Sequence, residues 1–190
     1  MDINFILRLV TLALLIIWRV YWFLHTKEAA IKKPKTNNKP RTLEQFYNIL
    51  AAAYVIINLL GFIILPFKNL PIQILGFILA ILGFIEGVSA RKTLDTNWTE
   101  SYEYQIKKKH ELITKGIYKY VRHPIYGGIL VMVNGALIVS GSFTVIIYFA
   151  IMFLIIKSYA RREEKLLTKH FGNKYFKYMK TTKKFIPFIY

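Results

Sequence analysis

Apolar residues run along this chain in long blocks, and the charges fall between the blocks. A helix needs about 20 apolar residues to cross a hydrocarbon layer. Five segments approach that length: 3–24, interrupted by Arg8 and Arg19; 46–67, with Pro66 near its end; 70–88; 124–140; and 143–159. The pattern predicts an all-α integral membrane protein of about five transmembrane helices in a single domain, 1–190. Three helices fall in 1–90, and 91–190 holds the fourth and fifth with the chemistry-bearing segments. Only Gly141 and Ser142 separate the last two blocks, which predicts a tight helical hairpin. Gly61, Pro66 and Pro71 predict a similar turn between the second and third. The first block is too long for a signal-peptide core and lacks a small-residue cleavage site, so it is read as a retained helix. Stretch 161–179 reads as a cytosolic helix continuing the fifth segment, with Leu167, Phe171, Tyr175 and Tyr178 on one face and a weak point at Gly172. Polar, aromatic 91–123, with Trp98, Tyr102 and Tyr104, is expected outside the lipid.

Charge fixes an expected orientation. Lys and Arg number six in 26–45, one in 67–69, eight in 91–123, none in 141–142 and ten from Lys157 onward. Rich and poor loops alternate as five crossings require, with the N-terminus outside and the C-terminus cytosolic. A net charge of +17 invites a nucleic-acid reading. The cations flank hydrophobic blocks instead of forming a soluble basic face, so no nucleic-acid partner is expected and membrane lipids are. The chain has no cysteine, which excludes disulfides, thiol nucleophiles and thiolate-bound metals. The histidines are too scattered for a metal site. Short loops without cysteine fit a prokaryotic cell membrane.

The candidate chemistry lies in two stretches. The first, residues 110–128, is HELITKGIYKYVRHPIYGG, where an inner loop meets the fourth helix. Pro124 suits the first turn of that helix. The exposed N–H groups there suit an anionic group. Gly127 and Gly128 permit close approach of a ligand or another helix; for Gly135, helix packing is the better reading. The second stretch is RREEKLL at 161–167 followed by FGNKYFKYM. Glu163 and Glu164 are the only acids after Glu111. A carboxylate there suits an ammonium or the hydroxyls of a ribose. Lying in or near apolar helices, Asn58, Asn134 and Glu86 are costly residues, and Glu86, near the inner end, suits snorkelling as well as function.

Taken in order, Leu112, Gly116, Ile117, Tyr118, Arg122, His123, Pro124, Tyr126 and Gly128, then Glu163, Glu164 and Leu167, then Phe171, Gly172, Tyr175, Tyr178 and Pro187 resemble the isoprenylcysteine carboxyl methyltransferase family and its prokaryotic relatives. Residues 94–99, LDTNWT, are similar to the family's L-G-x-N-W-S, with Asp95 in place of the glycine. The likeness covers about 91–190. It implies a membrane-embedded methyltransferase that binds S-adenosylmethionine on the cytosolic side. It implies cofactor contacts from His110, Glu111, Leu112, Ile113, Tyr118, His123, Pro124, Ile125, Tyr126 and Glu163, with less weight on Gln105. Arg122 is the expected catalytic residue, orienting an acceptor carboxylate. Eukaryotic members carry a substrate-side Arg where this chain has Tyr159. The implied substrate is lipophilic, first a prenylated cysteine carboxylate and second a phospholipid amine. A membrane sterol-type reductase shares the R-H-P-x-Y element, and a non-catalytic scaffold would make His123 and Glu163 freely replaceable.

Overall fold

The structure is a computed structural model that describes residues 2–31, 42–97 and 111–186, with the backbone alone for 26–31, 42–45 and 96. Expectations on the linker 32–41, on Trp98, Tyr102, Tyr104, Gln105 and His110, and on Pro187 lie outside the described residues. The rest is helical: α1 (Ile3–Ile31), α2 (Thr42–Leu59), α3 (Leu70–Leu94), α4 (Pro124–Ser140), α5 (Val145–Phe171) and α6 (Asn173–Thr181). Two short 3₁₀ turns, Asp95–Asn97 and Gly116–Lys119, stand between α3 and α4. Among the described residues no strand forms, only isolated bridges at Pro66–Ser142 and Val121–Lys183.

The outside of this bundle is apolar. Ile16, Ile17, Phe23 and Leu24 on α1, Leu82 and Ile85 on α3, and Ile146, Ile147 and Leu154 on α5 are all more than half exposed. So much apolar surface would be costly against water and is the surface a hydrocarbon layer requires. Residues 3–25 of α1 and all of α3 have the length and hydropathy to cross a bilayer; the apolar part of α2 and the 17 residues of α4 are shorter.

Inside, α3 and α4 pack at backbone contact. A Cβ on Gly83 would lie 2.4 Å from the Met132 nitrogen and 2.5 Å from the Gly128 carbonyl oxygen. One on Gly135 would lie 2.6 Å from Ala80 N and Gly76 O. The expected packing role of Gly135 is therefore its position in the fold. Gly128 likewise admits a helix: its added Cβ would meet Gly83 and Gly87. Gly76, Ala80, Gly83, Gly87 and Ala90 form the matching stripe on α3, all buried.

The two lysine-poor turns share one end. Phe67 N–H donates to Gly141 O (2.7 Å), Phe143 N–H to Leu65 O (3.0 Å), and Ser142 Oγ to Ile64 O (2.7 Å). Three boundaries differ from expectation. The second helix stops at Leu59, where Gly61 turns at φ +104. The third continues to Leu94 because Arg91 stays buried, its guanidinium donating to the carbonyls of Asp95 (3.0 Å) and His25 (3.3 Å). The fifth breaks at Gly172 (φ +54), so 161–179 is two helices instead of one.

Candidate functional site

Local sequence sets the start of α4. Pro124 is its first residue, His123 is the N-cap, and no side chain caps the turn. This leaves the Ile125 and Tyr126 N–H groups outside the helix's own ladder. Val121, Arg122 and His123 pair with the segment after α6: Arg122 N–H donates to Lys183 O (2.9 Å), His123 N–H to Lys184 O (3.0 Å) and Lys183 N–H to Tyr120 O (3.0 Å). Residues 182–186 thus form a strap across the base of α4. Its anchor is Phe185, 1% exposed and packed near the rings of His123 and Phe153. Gly127 makes room for the strap, since a Cβ there would sit 2.5 Å from the Phe185 carbonyl oxygen.

The C-terminal part of α5 reaches the same place. Tyr126 Oη donates to Glu163 Oε1 at 2.7 Å, and His123 Nδ1 lies 3.2 Å from Glu163 Oε2. His123 Nε2 lies 3.4 Å from Glu164 Oε1, in contact but without hydrogen-bond alignment. Glu164 also receives Arg122 Nε at 3.0 Å and Lys184 Nζ at 2.6 Å. The two neighbouring acids differ in setting. The Glu164 side chain is 14% exposed and held by cations; Glu163 is 29% exposed and keeps an open side.

Electrostatics follow from these contacts. Burial raises the Glu164 carboxyl, but His123, Lys184 and Arg122 outweigh it and bring it down to about 2. Burial lowers the His123 imidazole, yet its contact with Glu163 and the negative charge of Glu163 and Glu164 carry it above its ordinary value. Both directions describe an imidazolium between two carboxylates. Burial and the charge of Glu163 push the Tyr118 phenol well above its ordinary range.

Of the residues expected in the site, His123, Pro124, Ile125, Tyr126 and Glu163 come together at this junction. Tyr118 is buried, its carbonyl accepting from Tyr178 Oη of α6 at 2.6 Å, and its phenol feels the charge of Glu163. Leu112 and Ile113 are half-buried in the segment leading to the second 3₁₀ turn. Glu111 is exposed, and its N–H donates to Asn97 Oδ1 at 2.8 Å, so the Asn of the LDTNWT stretch holds that loop. Arg122 is not a free cation: besides Glu164, its Nη1 donates to the carbonyls of Met179 and Thr182. It positions Glu164 and the strap. Sequence reasoning singled out Glu163 and Glu164 together without separating their roles, and gave none to Lys184 or Phe185. The pairing that recruits the last two is between segments 60 residues apart and has no local signal. Glu86 does not snorkel: its Oε1 is buried beside Gly127, without a hydrogen-bond partner among the described residues.

A family model described as phospholipid methyltransferase matches residues 71–174, more than half of the chain, from α3 into the start of α6. The chain belongs to the phospholipid methyltransferase family. Within it, curated relatives are isoprenylcysteine methyltransferases, in keeping with the resemblance read from the sequence. The chain is 29% identical over 117 residues to protein-S-isoprenylcysteine O-methyltransferase B of Arabidopsis thaliana, covering 60% of this chain and 58% of that one. It is 26% identical over 176 residues to the protein-S-isoprenylcysteine O-methyltransferase of Dictyostelium discoideum, covering 91% and 73%. The chain thus spans 58% of the length of the Arabidopsis relative that it matches. The solved eukaryotic intramembrane isoprenylcysteine carboxyl methyltransferase shares its fold, with a TM-score of 0.72, 19% identity and coverage of 98% of this chain and 68% of that one.

Proposed function

We propose that this phospholipid methyltransferase family member transfers a methyl group from S-adenosylmethionine to a lipophilic acceptor at the cytoplasmic membrane face, the acceptor being the carboxylate of an isoprenylcysteine-like molecule. The observation that carries the reading is the meeting of His123, Tyr126 and Glu163 where α4 begins and α5 leaves the lipid. The names of the curated relatives supply the acceptor. The residues present suit the cofactor. Glu163 offers a partly open carboxylate to an ammonium or to ribose hydroxyls, and the uncapped N–H groups of α4 offer a seat for a carboxylate. When bound, the cofactor supplies an electrophilic methyl on a sulfonium. The chain's own work is to bind, align the acceptor and exclude water. In the same reading the chain crosses the bilayer five times, with its C-terminus cytosolic.

A second acceptor, a phospholipid amine, is favoured by the matching family model and by Glu86. An ammonium must lose a proton before its nitrogen can accept a methyl, and the buried Glu86 carboxyl next to Gly127 is a group able to hold it. Labelled methyl donor with each acceptor class separates the two. A prenylcysteine product releases its label in base, whereas an N-methyl product keeps it. Glu86→Gln is expected to spare the ester-forming reaction. Label transferred only to an amine, with loss of turnover in Glu86→Gln, would replace the first acceptor by the second; no transfer to either would end the reading.

A further inference from the structure

A cleft of about 370 Å³ opens beside the strap, lined by Arg122, Lys180, Lys183 and Lys184 with Thr181 and Thr182. Among the described residues no carboxylate lines it. Glu164 engages two of the lining cations, Arg122 and Lys184. Lys180 and Lys183 are exposed, and among the described residues neither has a carboxylate partner. The cleft therefore concentrates positive charge, of which Glu164 balances the Arg122 and Lys184 side while no described carboxylate pairs with Lys180 or Lys183. A phosphate carries the charge that such a cluster accepts.

Its rim decides where that phosphate comes from. Lys180 Nζ stands 5.2 Å over the ring of Phe176, and Phe176 is 50% exposed. Tyr120, whose carbonyl receives the Lys183 N–H, is 47% exposed, and Ile186, two residues past Lys184, is 39% exposed. Exposed rings and an aliphatic side chain around clustered cations are the arrangement of a surface lying at the headgroup level, with apolar groups toward the acyl chains and cations toward phosphates. We infer that this cleft binds the phosphate of an anionic membrane lipid, through Lys180 and Lys183 with Lys184 and Arg122 behind them. The inference is independent of the methyl-transfer reading.

The test is thermal unfolding of the full chain in neutral detergent, titrated with short-chain phosphatidylglycerol, short-chain phosphatidylcholine or inorganic phosphate. Phosphatidylglycerol is expected to raise Tm by several degrees and to saturate, while the other two leave it unchanged at the same concentrations. K180Q/K183Q is expected to keep the lipid-free Tm and lose at least half of the shift. K68Q, in the turn between α2 and α3, is expected to keep all of it. Should the double variant be unstable, K180Q and K183Q singly carry the same expectation in part. An equal response to phosphatidylcholine, an equal response to inorganic phosphate, or an undiminished shift in the lysine variants would overturn the assignment.

Discussion

At the residue scale, the adjacency of Glu163 and Glu164 hides a division of labour. Two successive residues on a helix point about 100° apart, so one acid turns toward Arg122 and Lys184 while the other keeps an open side. Sequence could show that both acids matter, but not which one the strap would claim. Glu164 has a testable signature. Its folded value is held at about 2, below the ordinary range of about 4.3. A depressed carboxylate contributes stability that is complete above its unfolded value and is lost as pH falls through the folded one. Tm is therefore expected to fall between about pH 4.5 and 2, and Glu164→Gln to start lower and flatten that fall. Unfolding scans across that window check it. Arg122 belongs to the same cluster. Read from sequence as a cation awaiting substrate, it is bound from three directions, because the carbonyls of Met179 and Thr182 arrive from a part of the chain its local motif does not mention.

At the element scale, helices bounded by local chemistry were legible and those bounded by distant contacts were not. Pro124 at the start of α4 and Gly141 in the left-handed region after Ser140 give that helix its limits, and both are readable in the sequence. The end of α3 was hidden, because a buried Arg91 satisfied by carbonyls does not look like a helix interior. The stripe from Gly76 to Ala90 was present in the sequence as small residues at spacings of three and four, the pattern for close helix packing. Gly83→Ala is expected to cost about 1–3 kcal/mol, since its Cβ would meet backbone atoms of α4, which cannot move alone. A drop in Tm by calorimetry checks this. Asp95 is the converse case. It keeps a conformation, φ +46 and ψ −120, that suits glycine, the residue expected there from the resemblance of 94–99 to L-G-x-N-W-S. Asp95→Gly is expected to stabilise the fold by about 1 kcal/mol, read as a raised Tm; a lower Tm would mean that the aspartate contributes contacts that outweigh the backbone strain.

At the scale of the whole molecule, the fold is a tight α3–α4 pair with an apolar exterior and one polar end, where the start of α4, the C-terminal part of α5 and the strap meet. Hydrogen bonds between 64–67 and 141–143 join the two lysine-poor turns. The proposed five-crossing arrangement expects a reporter fused to the C-terminus to be active in the cytoplasm; a reporter active only outside would reverse it. Hydropathy left the strap invisible, because five residues held by three backbone hydrogen bonds and one buried phenylalanine carry no periodic pattern.

The central claim is that the start of α4 and the inner end of α5 form one adenosyl-binding site. Equilibrium binding of adenosylhomocysteine to the detergent-purified chain, alongside a reduced nicotinamide nucleotide, tests it most directly. The account predicts saturable binding of adenosylhomocysteine alone, weakened about tenfold or more in Glu163→Ala, which corresponds to about 1.4 kcal/mol. Binding of the nicotinamide nucleotide without adenosylhomocysteine, or an affinity indifferent to Glu163, would contradict it.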